Sequence, residues 1–112
     1  MARANKIASL IKQELSMVIM KIDDLKNSGV WAISDVMMSD DLGYAKIYIR
    51  ILDVNKSKDI ISKLNNLVPY CRSQIAKSVS LKKVPKISFV HDKSLEEANR
   101  IYKLISDADG ES

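Results

Sequence analysis

The chain contains one imidazole, His91, and one thiol, Cys71. Neither belongs to a spacing that gathers metal ligands, because structural and catalytic metal sites draw on clusters of such residues. Cys71 recurs at helical intervals with Leu64, Leu67 and Ile75, where a buried structural thiol is a simpler reading than a nucleophile. His91 directly precedes Asp92 at the end of an apolar run, and a local hydrogen bond accounts for it without general-base chemistry. Asp40 and Asp41 imitate a catalytic pair, but adjacent acids in a turn sequence commonly bond to nearby amides. Gly29, Gly43 and Gly110 are too scattered to cradle a phosphate. No enzyme, metal or cofactor is expected.

Positive charge is the chemistry that remains. The stretch SVSLKKVPKISFVHDKS, residues 78–94, sets Lys82, Lys83 and Lys86 around Pro85 and then turns apolar. The formal net charge is only +4. The window Lys56–Lys86, however, holds eight basic residues against Asp59 alone, a balance of +7, so the rest of the chain carries −3. From Asp92 onward six acids oppose Lys93, Arg100 and Lys103. Such asymmetry points to an anionic partner met by one face of the fold. Phosphate contact requires lysine and arginine on a common surface. Arg72, Lys77, Lys82, Lys83 and Lys86 are the candidate set. A second candidate surface is YAKIYIRIL, residues 44–52, whose Tyr44, Lys46, Tyr48 and Arg50 alternate with apolar residues. There rings can stack on bases and cations can meet phosphate. The bland alternatives are a solvated loop and a strand face covered by a second layer, since tyrosine favours strands anyway.

These residues need elements to hold them. A length of 112 residues, 46% hydrophobic and 29% charged, fits one globular domain, expected over residues 1–106 with a short flexible tail at 107–112. The run Met17–Met20 is far too short to span a bilayer, and Lys12, Gln13 and Glu14 interrupt any secretory core. A single cysteine rules out an intramolecular disulfide and fits the reducing cytoplasm.

Residues 5 to about 26 read as an amphipathic helix with Ile7, Leu10, Ile11, Leu15, Val18, Ile19 and Ile22 on one stripe. Asn27-Ser28-Gly29 is its expected stop. Residues 30–39 are rich in strand formers but alternate imperfectly, and 44–52 alternate cleanly, with Ala45, Ile47, Ile49 and Ile51 inward. SDDLG, 39–43, predicts a hairpin between them. Residues 57 to about 79 are helical again, with Pro69 in their midst. Proline lacks the amide that would reach the Asn65 carbonyl and disfavours helix at Val68. A break is therefore expected near Asn66–Pro69. Residues 86–90 predict a third strand with Ile87 and Phe89 inward. Ser94-Leu95-Glu96-Glu97 reads as a capping box opening a last helix with Leu95, Ala98, Ile101, Tyr102 and Ile105 on its apolar side. The order helix, strand, strand, broken helix, strand, helix is that of an α+β layer fold.

SDDLGYAKIYIRIL resembles the hairpin of the ribosome-binding factor A family, in which a serine-aspartate turn leads into an alanine-lysine-aliphatic-tyrosine strand. YCRSQIAKSVSLKKVPKISFVHDKSLEEANRI resembles the same family's second half. There an arginine inside the helix leads to a basic stretch, a proline, a strand ending in aspartate and a serine-led helix. The resemblance runs from Ala4 to Ile105 in the same order and spacing. It implies a type II KH-like α+β domain, a three-stranded sheet packed by helices, with a kinked helix in place of a Gly-x-x-Gly loop. It further implies a non-catalytic assembly factor that binds the free, immature 30S subunit and 16S rRNA. The family acts in late maturation of the 16S rRNA 5′ region and is associated with growth in the cold. The family's Ala-x-Gly kink pattern would fall on Leu67, Val68 and Pro69, so proline stands here where glycine is expected. A monomeric cytoplasmic protein without membrane contact is anticipated. Two rivals remain on the residues alone: a helix-turn-helix DNA-binding module built on the broken helix, and a protein-interaction adaptor whose lysines only keep it soluble.

Overall fold

The computed structural model describes residues 2–22, Leu25, 29–94 and Glu97. Its first helix, α1 (Ala2–Met20), buries Ala4, Ala8, Ile11, Leu15, Val18 and Ile19. This stripe differs from the sequence reading at Ala4, Ala8 and Leu10. Leu10 is 42% exposed, and the small Ala4 and Ala8 occupy the inward side, where alanine lets the helix lie close to its neighbours. α1 also closes at Met20, short of residue 26. Lys21 N donates to the Val18 carbonyl and Ile22 N to that of Ile19, three residues back rather than four, which tightens and ends the helix. Asn27 and Ser28 of the expected stop lie outside the described residues. Gly29 has φ +108, a left-handed conformation that glycine takes without a Cβ penalty, and from it the chain enters the sheet.

The sheet has three strands in the order β1-β2-β3. β1 (Trp31–Met38) pairs antiparallel with β2 (Tyr44–Ile51), and β3 (Lys86–His91) pairs parallel with β2. The imperfect alternation of β1 has a cause. Register passes from Ile33↔Ile49 to Asp35↔Tyr48, leaving Ser34 as a bulged residue, so Trp31 and Ile33 face inward before it and Val36 and Met38 after it. The expected hairpin forms at residues 39–43. Asp41 Oδ1 accepts from Ser39 Oγ at 2.7 Å and from Gly43 N at 2.9 Å, while Ser39 N donates to the Tyr44 carbonyl at 2.9 Å. The Ser39 hydroxyl, followed by the Gly43 amide, holds the Asp41 carboxyl below its ordinary range. Asp41 is thus a turn former.

After a 3-10 turn at Val54–Lys56, α2 (Ser57–Asn66) and α3 (Val68–Ser78) follow as two helices. The break lies at Leu67, with φ −95 and ψ 4, and Val68 already opens α3. Pro69 therefore sits in the first turn of α3, where its missing amide would have had no helical acceptor. Breaking two residues upstream of the proline avoids both the lost bond and the clash with the Asn65 carbonyl.

α1, α2 and α3 together bury the inward side of the sheet. Ile11, Leu15, Ile47, Ile49, Ile60, Leu64, Cys71, Ile75 and Phe89 are all within 1% of full burial. Burial pushes the Cys71 thiol up to about 11, so it stays protonated and unreactive at neutral pH. Ser78 Oγ donates to Glu14 Oε1 at 2.9 Å, fastening the end of α3 to α1. The sequence-predicted helix from Ser94 and the tail at 107–112 lie outside the described residues, apart from Ser94 and Glu97. Among the described residues, no helix is long and apolar enough to cross a membrane.

Candidate nucleic-acid interface

Period-two alternation along β2 turns Tyr44, Lys46, Tyr48 and Arg50 away from the core, as their greater exposure beside fully buried Ala45, Ile47 and Ile49 records. The parallel register then decides which β3 residues join them. Tyr44 lies beside Lys86, Lys46 beside Ser88 and Tyr48 beside Val90. Neighbouring strands lie about 4.8 Å apart, so Lys86 adjoins both Tyr44 and the side of Lys46. The Tyr44 hydroxyl also meets Ser88 Oγ at 2.5 Å, orienting an aromatic ring that is 42% exposed.

Lys86 is equally the end of the loop that carries Lys82 and Lys83, both exposed. The two candidate sets therefore meet at one residue. Lys82 and Lys83 approach from the loop, Tyr44 and Lys46 from the outer sheet face, and Lys86 belongs to both. Lys77 is exposed on the last turn of α3, where a cation also complements the carbonyl end of the helix.

The loop is held firmly from below. Pro85 is fully buried, and Leu81 and Val84 pack against the core. Arg72, on α3, donates from Nε to the Pro85 carbonyl and from Nη2 to the Val84 carbonyl, each at 3.1 Å. Its guanidinium is half-buried and committed to the backbone immediately before Lys86. Asn65 does comparable work at the last turn of α2. Its Nδ2 donates to the Phe89 carbonyl at 3.1 Å and its Oδ1 accepts from Phe89 N at 3.0 Å, satisfying an outward-facing backbone pair of β3.

Both signs of charge line the outer face and its turn. At the Tyr44 end Lys46 and Lys86 lie near the exposed turn acids Asp40 and Asp41, and at the other end acids again accompany the cations. Asp35 is exposed opposite Tyr48, and Arg50 lies 3.9 Å from the Asp92 carboxylate. Asp92 also accepts from Ser34 Oγ at 2.5 Å and from Ser94 N at 2.9 Å. The Ser34 bond foremost, with Ser94 and Arg50 behind it, holds its carboxyl down to about 2. Asp92 thereby ties the β1 bulge to the end of β3. Sequence reasoning read it only as a local partner of His91 and missed Asn65 altogether. An asparagine on the solvent side of a helix gives no periodic signal, and the Ser34–Asp92 contact spans 58 positions.

Lysines on a rigid edge beside an oriented ring suit a phosphate backbone with adjacent bases. Comparison with known proteins bears on the family and the fold. The family profile described as Ribosome-binding factor A matches residues 3–105. The chain belongs to the ribosome-binding factor A family. It is 37% identical over 106 residues to the ribosome-binding factor A of Legionella pneumophila, covering 94% of this chain and 85% of that one. The Nostoc punctiforme member is 33% identical over 107 residues, with 93% and 77% covered. Among solved structures, the Thermotoga maritima protein assigned to the family superposes with a TM-score of 0.69 at 28% identity, covering 82% of this chain and 89% of that one. A Thermus thermophilus ribosome-binding factor A, as fitted into a cryo-electron microscopy map of its complex with 30S, gives 0.65 at 15% identity, with 77% and 91% covered. The observed break at Leu67 falls within the kink expected over Leu67, Val68 and Pro69.

Proposed function

We propose that the protein binds the immature 30S subunit and meets 16S rRNA through Lys82, Lys83 and Lys86, supported by Lys46, Tyr48 and Lys77. The observation that carries this reading is the Tyr44↔Lys86 register, which joins the loop lysines to the outer sheet face as one surface. Family membership supports the partner, and the complex of the Thermus relative with 30S supports the particle. Arg50 contributes less than the lysines, because Asp92 offsets its charge.

The role is non-catalytic and needs no cofactor. The protein holds one conformation of the rRNA near the 16S 5′ region late in maturation and leaves when that conformation changes, so differential affinity for two rRNA states is the whole mechanism. It works as a cytoplasmic monomer, with residues 1–106 as one KH-like folding unit, and it is needed most in the cold, where misfolded RNA escapes slowly. A helix-turn-helix reading fares poorly. Such motifs need a turn of about 3–4 residues between helices, and Leu67 alone separates α2 from α3.

Sedimentation of a cell lysate tests the proposal. The protein should co-migrate with free small subunits, be absent from translating ribosomes, and dissociate as salt rises. Recovery only in the soluble fraction at every salt concentration would refute it.

A further inference from the structure

Arg72 stands in the cationic window but points its fork at backbone rather than solvent. Its Nε and Nη2 donate to two successive carbonyls, those of Pro85 and Val84, each at 3.1 Å. Those carbonyls lie between Lys83 and Lys86. Pro85 brings no amide to the loop and is fully buried, so this backbone is pinned by packing on one side and by the guanidinium on the other. The planar fork matters here. Lysine supplies a single flexible ammonium and cannot span two carbonyls in a fixed geometry.

We propose that Arg72 is a positioning residue for the phosphate-binding edge rather than a phosphate ligand. It holds residues 82–86 in one arrangement before binding, so that Lys82, Lys83 and Lys86 present their charges together and little loop entropy is lost on association. Asn65, on the other side of the break, fastens β3 beyond the loop through its paired hydrogen bonds to Phe89. This inference rests on the RNA-binding reading for its consequence, though the clamp itself is a property of the free protein.

The test compares Arg72→Lys and Arg72→Gln, with wild type, in binding purified 30S subunits over about 50 to 200 mM salt. Amide exchange in the free proteins is followed at Lys86, whose N–H donates to the Gly43 carbonyl at 3.0 Å at the end of the clamped loop. A clamp predicts that both variants bind about tenfold more weakly. It also predicts an unchanged slope of log affinity against log salt, and faster exchange at Lys86. A phosphate ligand predicts the opposite pattern: Arg72→Lys retains affinity, Arg72→Gln lowers the slope by about 0.7 to 0.9, and exchange at Lys86 stays as in wild type. That pattern would overturn the proposal, as would unchanged affinity and exchange in both variants. Should Arg72→Gln fail to fold, Arg72→Lys decides alone, because a retained charge with a loosened loop and weaker binding fits only the clamp. Should wild type itself not bind 30S, the RNA-binding reading fails, and exchange at Lys86 still decides whether Arg72 pins the loop.

Discussion

Asp92 is the residue whose surroundings make the sharpest chemical statement. Its carboxylate accepts from Ser34 and Ser94 and lies near Arg50, and its pKa falls from the ordinary 3.8 to about 2. A carboxyl depressed by folding adds stability that is fully present above the unfolded value and is lost as pH falls through the folded one. Wild type should therefore lose stability between about pH 4 and pH 2, and Asp92→Asn should flatten that part of the curve in thermal melts across pH. Equal steepness in both proteins would mean that other carboxylates govern acid unfolding. Cys71 gives a second test at this scale. With its thiol raised to about 11 by burial, it should resist iodoacetamide at pH 8 in the native protein and react readily once denatured. Rapid native labelling would show that the α3 face around Cys71 opens. Both residues show what a sequence conceals. The burial of Cys71 was readable from helical spacing, whereas the work of Asp92 depends on a bulge that brings Ser34 across the sheet.

Elements followed periodicity wherever one face was buried and the chain ran straight. β2 and β3 formed with Ala45, Ile47, Ile49, Ile51, Ile87 and Phe89 inward, as their alternation requires. Departures came where a local bond competed with the pattern. β1 slipped its alternation at Ser34, and α1 tightened to a close at Met20 through bonds three residues back. Leu10 looked like part of the stripe because spacing alone cannot weigh it against Ala4 and Ala8, which pack closer. Phe89 tests the third strand. It is 1% exposed in the main cluster, so Phe89→Ala should cost about 3–5 kcal/mol in denaturant melts. A loss well under 1 kcal/mol would contradict its place in the core. Pro69 tests the break. Because it lies in the first turn of α3, Pro69→Ala should change stability by less than about 1 kcal/mol and leave Leu67 non-helical. A gain approaching about 3 kcal/mol, the cost of a proline in a helix interior, would mean that the two helices join into one when the ring is removed.

At the scale of the whole molecule, the uneven charge seen in the sequence acquires a location. The basic window from Lys56 to Lys86 folds into α2, α3 and the loop entering β3, and the register of β3 beside β2 carries its last lysine onto the outer sheet face. Pairing partners distant in sequence determine that continuity, so composition revealed the cations but not the surface they share. Within that surface the structure separates environments that charge alone had merged. Lys82, Lys83 and Lys86 are exposed, while Arg72 is occupied with backbone. Exposed charges contribute little to folding, so the lysines can be altered without unfolding the protein. The most direct test is a salt series of 30S binding for wild type, for Lys82→Gln with Lys83→Gln, and for the control pair Lys93→Gln with Lys103→Gln. Loss of two phosphate contacts should lower the slope of log affinity against log salt by about 1.4 to 1.8 in the first variant and much less in the control. An unchanged slope for the Lys82 and Lys83 pair, or equal losses from both pairs, would contradict the claim that this edge meets the RNA.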